Sequence, residues 1–311
     1  MKRFDLANFH SYLDNYYYNP NKVAFATENY PFPECVYAYC DLWFYTVGDV
    51  LYILRVLGFQ IGYNGQCLYF INVNNRICPD VCKGDRIVDM YFDDSKNHVG
   101  ISFINSAGTA IVTQIKVPNF STVQKPTEWK IIDSQTAYIK VFSFSNFDVQ
   151  HISTIIESVK YLFIDIRDNM GGPINDMIKV LSLFSISDHI FCVEDSNGYI
   201  HSIKIKKSLL NLSNIKAINF RVNEFTASSA EMFVLTLRSL FPGRIYGDKT
   251  TGKLIVQDFV MVDNSMVAVP VYHFVLPVYI NNDAVEIDTN NKIVPDVGEC
   301  PEAVVSTFCD F

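Results

Sequence analysis

The spacing of apolar positions changes twice along the chain. Over residues 4–18 and 40–57 apolar side chains recur at helical intervals, and Pro31 and Pro33 break the stretch between them. This predicts a helical N-terminal region, residues 1–54. From 55 to 117 short β-rich runs take over at 67–73, 86–92, 99–103 and 110–117. They are separated by Asn74-Asn75, Lys83-Gly84-Asp85, Asp93-Asp94 and Ala107-Gly108. They predict a small β domain with one helical turn at 79–83. After Lys125-Pro126-Thr127 the two periods alternate. Strands are predicted at 137–142, 161–166, 215–222, 244–247 and within 254–279, and helices at 148–159, 175–184 and 228–240. Strands alternating with helices imply an α/β core whose helices pack on a mostly parallel sheet. The whole chain is then a multi-domain α+β protein divided at 1–54, 55–117 and 118–311.

Composition narrows the class. Of 311 residues, 49% are hydrophobic and 19% charged, a globular rather than a disordered balance. The net charge of −8 argues against nucleic acid as a partner, because phosphate binding needs a basic face. No apolar run follows Met1-Lys2-Arg3-Phe4-Asp5, so no secretory signal is read and a cytoplasmic location is expected. Residues 43–59 are apolar but contain Asp49 and Arg55, which fits a buried helix and no membrane span. The eight cysteines are scattered and are expected to be free, buried thiols. Cys78-x3-Cys82 lacks a second ligand pair, so neither a metal nor another cofactor is expected.

Three segments carry chemistry. Asp165-Ile166-Arg167-Asp168-Asn169-Met170-Gly171-Gly172 follows an apolar strand, and its glycines let the backbone turn sharply with amides free for an anion. Asn223-Glu224-Phe225-Thr226-Ala227-Ser228-Ser229-Ala230-Glu231 joins a strand to a helix. Ser228-x-x-Glu231 is a capping box, in which the serine would only hold a helix amide. A serine there also has the helix dipole and neighbouring amides beside it, and these suit a developing oxyanion. In Gly247-x4-Gly252-Lys253, Leu254 stands where a phosphate loop needs a hydroxyl, and the run that follows reads as strand. A nucleotide loop is therefore excluded.

Together the three segments resemble the carboxyl-terminal processing, or tail-specific, serine peptidases. The first is similar to their Asp-Leu-Arg-Asn-Asn-x-Gly-Gly strand, and Thr226 to Glu231 to their Ser/Thr-Ala-Ser-Ala-Ser-Glu turn. Thr250-Thr251-Gly252-Lys253-x3-Gln257 resembles their Thr-x-Gly-Lys-x3-Gln segment. Ser228 and Lys253 stand twenty-five positions apart, as the nucleophile and base do in that family. Ile293-Val294-Pro295-Asp296 resembles their Gly-Ile-x-Pro-Asp element. The resemblance spans residues 130 to 297. It implies a crotonase/ClpP-like catalytic core of strand–helix units preceded by a PDZ-like domain, for which Lys83-Gly84-Asp85-Arg86-Ile87 is the matching segment. The carboxylate-binding loop is placed at Gly58 to Gly62. Where some members carry an acid after the nucleophile helix begins, this chain has Arg238-Ser239.

The resemblance implies a serine endopeptidase with a Ser-Lys dyad, acting on peptides or proteins recognised near their C-termini. No histidine is placed as a triad member, so Lys253 would be the base. It can accept a proton only if apolar neighbours hold its pKa well below the ordinary lysine value. Gln257 would orient it, and the amides of Ser229 and of Gly171 or Gly172 would form the oxyanion hole. The alternative is a catalytically inactive peptide-binding protein on the same scaffold. Residues 1–54 are a candidate dimerisation arm for a homo-oligomer.

Overall fold

A computed structural model of the chain describes residues 3–4, 6–17, 45–46, 50, 53–54, 57, 59–63, 67–75, 77–93, 97–116, 126–186, 188–262, 265–276 and 285–296. They fall into two compact units. One comprises residues 1–123 and 257–272, the other 124–256 and 273–311. Residues 257–272, expected in the C-terminal domain, thus group with the N-terminal part.

In the first unit, helix α1 (Leu6–Tyr16) matches the expected N-terminal helix, and Tyr12 and Leu13 bury one side of it. Tyr12 donates a 2.8 Å hydrogen bond to Asp258 on β15 (Ile255–Val262). The short β1 (Arg3–Phe4) runs parallel to β15, and β2 (Tyr45–Thr46) pairs antiparallel with β16 (Ser265–Phe274). Most of the second predicted helix, 40–57, lies outside the described residues; Leu54 and Leu57 are buried in the β-domain core.

That β domain is a five-stranded antiparallel sheet in chain order: β3 (Gln60–Tyr63), β4 (Leu68–Asn72), β5 (Arg86–Phe92), β6 (His98–Ile104) and β7 (Ala110–Lys116). Phe59, Phe70 and Phe103 form its centre. They are fully buried and pack edge-to-face with centroids 6.0 and 6.4 Å apart. The predicted helical turn at 79–83 is absent. Residues 79–84 form non-helical turns, because the buried Asp85 carboxylate takes the Cys82 amide at 2.8 Å and Gly84 adopts φ +92°.

The second unit is built on a sheet in the order β14 (Ile245–Gly247), β13 (Ala217–Val222), β10 (Tyr161–Asp165), β9 (Thr136–Val141), β8 (Thr127–Ile131). Four strands are parallel; β8 is antiparallel to β9. Helix α2 (Val149–Ser158) connects β9 to β10, α3 (Ile174–Ser182) follows β10, and α4 (Ser229–Leu240) connects β13 to β14. Asp148 caps α2 by accepting from the His151 amide. All twelve residues of α4 are buried, the mark of a central helix rather than an amphipathic surface one. Its Phe233 ring packs against Phe144, Phe184 and Phe220 at 5.2 to 6.4 Å. The hairpin β11 (His189–Asp195) and β12 (Ile200–Ile205), like β8, had no counterpart in the sequence reading.

Of the described cysteines, Cys67, Cys78, Cys82 and Cys192 are free, but only Cys78 is buried; Cys82 is exposed. No helix among the described residues is long and apolar enough to cross a membrane.

Candidate active site

The chemical segments meet because of the sheet. β10, β13 and β14 are adjacent and parallel, with Asp165 level with Arg221 and Val222 level with Gly247. The three segments therefore leave the sheet side by side at its carboxyl edge, the usual place for a site in an α/β fold.

Each turn is fastened to the next. Asp165, fully buried, ends β10 and takes a fork of bonds from the Arg167 guanidinium at 2.6 to 3.0 Å and one from the Tyr138 hydroxyl at 2.8 Å. Burial and the Asp165 charge hold Tyr138 firmly protonated, and the Asp165 bonds raise the Arg167 pKa further. Asp168 and Asn223 exchange two bonds, 3.0 and 2.8 Å, between the first turn and the second. The Thr226 hydroxyl donates to the Ile166 carbonyl, and the Ala227 amide to that of Asn169. The Thr251 amide then donates to the Thr226 carbonyl and its hydroxyl to Glu224, which binds the third segment to the second. The segment at 293–296 joins the same edge. Ile293 exchanges bonds with Thr250, and Asp296 accepts the Ile245 amide at 2.7 Å.

Ser228 sits at the tip of the β13–α4 turn with φ +57° and ψ −125°. An ordinary N-cap serine lies in the β region. A non-glycine residue at positive φ is strained, by about 1–3 kcal/mol, and persists only where its surroundings impose it. Here they do. Gly171, at φ +94°, is packed so closely that an added Cβ would lie 2.9 Å from the Ser228 Cβ and 2.8 Å from the Ala227 carbonyl oxygen. Only glycine fits.

The amides around Ser228 divide into used and available. The Gly171 amide donates to the Asn169 side chain at 2.9 Å, while Asn169 is itself held by the Val141 carbonyl. Gly172, exposed at φ +136°, turns its carbonyl to the Ser229 hydroxyl at 3.2 Å. The Ser229 amide lies at the first position of α4, where a helix leaves its N–H groups unbonded.

Glu231 is the residue that the sequence reading undervalued. It lies one turn into α4, completely buried, and its carboxylate takes four donors. One oxygen receives the Thr250 hydroxyl and the Gly252 amide at 2.7 Å. The other receives the Ser228 amide at 2.9 Å and the Lys253 amide at 2.8 Å. A single carboxylate oxygen thus fastens the backbones of both predicted dyad residues. Burial pushes the Glu231 pKa up to about 7, against the pull of its four donors.

Lys253 and Ser228 are both half-buried. The spacing of four would put Lys253 and Gln257 on one side of a strand, but β15 starts at Ile255, so Lys253 precedes the strand and does not share that face. The backbone is diverted by Gly252, at φ +85°, and by the pull of Glu231 on the Gly252 and Lys253 amides. Gln257 lies in β15 within the first unit. Of the proposed carboxylate-binding loop, Gly58 lies outside the described residues, and Gly62 is in β3, paired with Tyr69, not in a loop. Among the described residues, no three His, Cys, Asp or Glu side chains gather so as to hold a metal ion.

Residues 135–297, which contain all of these turns, match peptidase family S41. The chain belongs to peptidase family S41. Relatives include a "probable CtpA-like serine protease" of Staphylococcus haemolyticus, 28% identical over 152 residues, which are 46% of this chain and 30% of that protein. The same name is carried by a Staphylococcus epidermidis relative, 25% identical over 101 residues, 32% of this chain and 21% of that one. This S41 chain therefore aligns with less than a third of either relative's length. Among solved structures, the photosystem II D1 C-terminal processing protease aligns over 83% of this chain and 78% of its own, with a TM-score of 0.49 and 18% identity. A lipoprotein from Streptococcus agalactiae aligns over 59% and 68%, with a TM-score of 0.46 and 22% identity.

Proposed function

We infer that this S41 chain is a serine endopeptidase using a Ser228–Lys253 dyad. The observation that carries the reading is the strained Ser228 at the strand–helix tip, its amide tied through Glu231 to the amide of Lys253. In the reaction, Ser228 Oγ attacks a peptide carbonyl while neutral Lys253 takes its proton, then returns it to the leaving amine. Water then attacks the acyl-enzyme and gives a proton to Lys253, which returns it to Ser228 Oγ as the ester bond breaks and the carboxyl product leaves. The oxyanion is received by the amides of Ser229 and Gly172, since that of Gly171 is engaged by Asn169.

The antiparallel sheet β3–β7 plays the part of a PDZ-like domain. Among the described residues β3 is an edge strand of this sheet, with Ile61 turned into the core and Gly62 beside it, so its outer side can take a substrate C-terminus as an added strand. The strand–helix unit around β9, β10, β13 and β14 fits a crotonase-like catalytic core.

The test is hydrolysis of casein and of peptides with apolar C-termini from pH 6 to 10. Wild type, Ser228→Ala and Lys253→Ala are compared, with circular dichroism to establish folding. Cleavage that rises with pH and vanishes in both variants is expected. Undiminished cleavage by folded Lys253→Ala refutes the dyad. Failure of folded wild type to cleave any of these substrates favours the inactive, peptide-binding alternative.

A further inference from the structure

A cleft at the outer, β8 side of the sheet takes no part in the chemistry above. It has a volume of about 690 Å3 and is lined by residues of β8 and of the turn into α2, among them Glu128, Trp129, Asp148 and His151. β8 is the last strand of its sheet and pairs only with β9 among the described residues. The phase of that pairing is fixed at its two ends, where Phe142 donates to the Pro126 carbonyl and Ile132 to that of Thr136. Even-numbered residues of β8 therefore turn their main-chain groups to β9. Thr127, Trp129 and Ile131 turn theirs to the open edge. An open edge is a template for another strand unless something covers or blunts it.

The side chains at this edge favour a particular guest. Trp129 and Ile131 are 43% and 44% exposed, unusual for large apolar groups side by side on one strand. The Trp129 ring lies at 24° to the His151 imidazole, centroids 6.5 Å apart, which steadies the indole. Asp148 is fixed beside it by bonds from the His151 amide and ring at 3.2 and 2.7 Å, and these hold its carboxyl below the usual range. An indole face beside a carboxylate suits a flat cation. A guanidinium stacks on the ring and pairs with a carboxylate in the same pose, whereas a lysine ammonium is a compact, strongly hydrated point charge.

We propose that this cleft seats an arginine side chain of an extended polypeptide whose main chain adds as a strand to β8. The proposal is independent of the peptidase reading, because it needs binding and no bond cleavage.

The experiment measures fluorescence anisotropy of a labelled acetyl-Val-Thr-Arg-Val-Thr amide titrated with the full chain carrying Ser228→Ala, so that hydrolysis cannot consume the probe. Saturable binding is expected, at least tenfold weaker when norleucine replaces arginine. Asp148→Asn, which keeps a side chain able to cap α2, and Trp129→Leu, checked for native circular dichroism, are each expected to weaken the arginine peptide by at least tenfold. Equal binding of the arginine and norleucine peptides would show a merely apolar groove and overturn the proposal, as would the absence of saturable binding. The peptide comparison uses the intact cleft, so a misfolded variant does not decide it. An inactive wild type that still selects the arginine peptide refutes the peptidase and leaves this site standing.

Discussion

Replacing Glu231 by glutamine removes a charge but little volume, so it isolates what the carboxylate does. The amide offers one accepting oxygen where the carboxylate has two. If its NH2 faced Ser228 and Lys253 it would meet two backbone donors. If it faced Thr250 and Gly252 it would meet one hydroxyl, which can rotate to accept, and one amide. The second pose is preferred and leaves one buried amide without an acceptor, at a cost of about 1–3 kcal/mol. The pH dependence gives a second magnitude. Between pH 4.5 and about 7 the folded protein keeps a Glu231 proton that the unfolded chain has released. Stability from this group is therefore fully present below 4.5, is lost as pH rises through that window and is gone above about 7. At about 1.4 kcal/mol per pH unit the loss is roughly 3 kcal/mol. Urea denaturation of wild type and Glu231→Gln from pH 4.5 to 8 should show the difference between them changing by about that amount. All other titrating groups cancel in the comparison. At pH 8 the variant's kcat should be at least tenfold lower, equivalent to ~1.4 kcal/mol, with KM little changed, because Glu231 is fully buried and acts through the backbones it holds. Parallel pH–stability curves together with a kcat within twofold of wild type would refute the reasoning.

Gly171→Ala places a Cβ against the Ala227 carbonyl and Ser228 Cβ at a φ that alanine rarely adopts; hydrolysis should fall at least tenfold, and unchanged kcat in a folded variant would count against the packing argument. Phe233→Ala removes a fully packed ring from the middle of α4 and should cost about 3–5 kcal/mol in denaturant unfolding; a loss below 1 kcal/mol would mean the cluster collapses around the gap. Asn223→Ala deletes the two-way link with Asp168 and should lower stability by about 1–2 kcal/mol, measured in the same way.

The elements most legible in the sequence are those whose burial is one-sided or complete. Strand β5 begins and ends where its turn residues place it, at Arg86 and Phe92. α2 lies between its cap Asp148 and Val159, as its apolar spacing requires. The strands that escaped prediction are the ones pattern cannot reach. β8 alternates Glu128 and Lys130 with an exposed Trp129, so it has no buried face to advertise. β12 buries only Ile205. Residues 257–272 look in sequence like a continuation of the catalytic strands, and only long-range pairing, such as Arg3 with Met261, assigns them to the first unit. The same limit governs the site. Asp165, Gly171 and Ser228 could be named from local motifs because each lies in the turn that its own strand feeds.

Glu231 shows where local reading stops. As a capping box, Ser228-x-x-Glu231 explains one of the four bonds to the carboxylate, the one to the Ser228 amide. The other three come from Thr250, Gly252 and Lys253, about twenty residues further along the chain. A carboxylate needed only to cap a helix would stand at the surface, where its charge costs little. This one is buried at the expense of a pKa raised to about 7. The burial is understandable if the helix end and the third turn must be held together while Ser228 stays in its strained conformation. The twenty-five positions between Ser228 and Lys253 are then the length of chain needed to traverse α4, return through β14 and arrive at the same carboxylate.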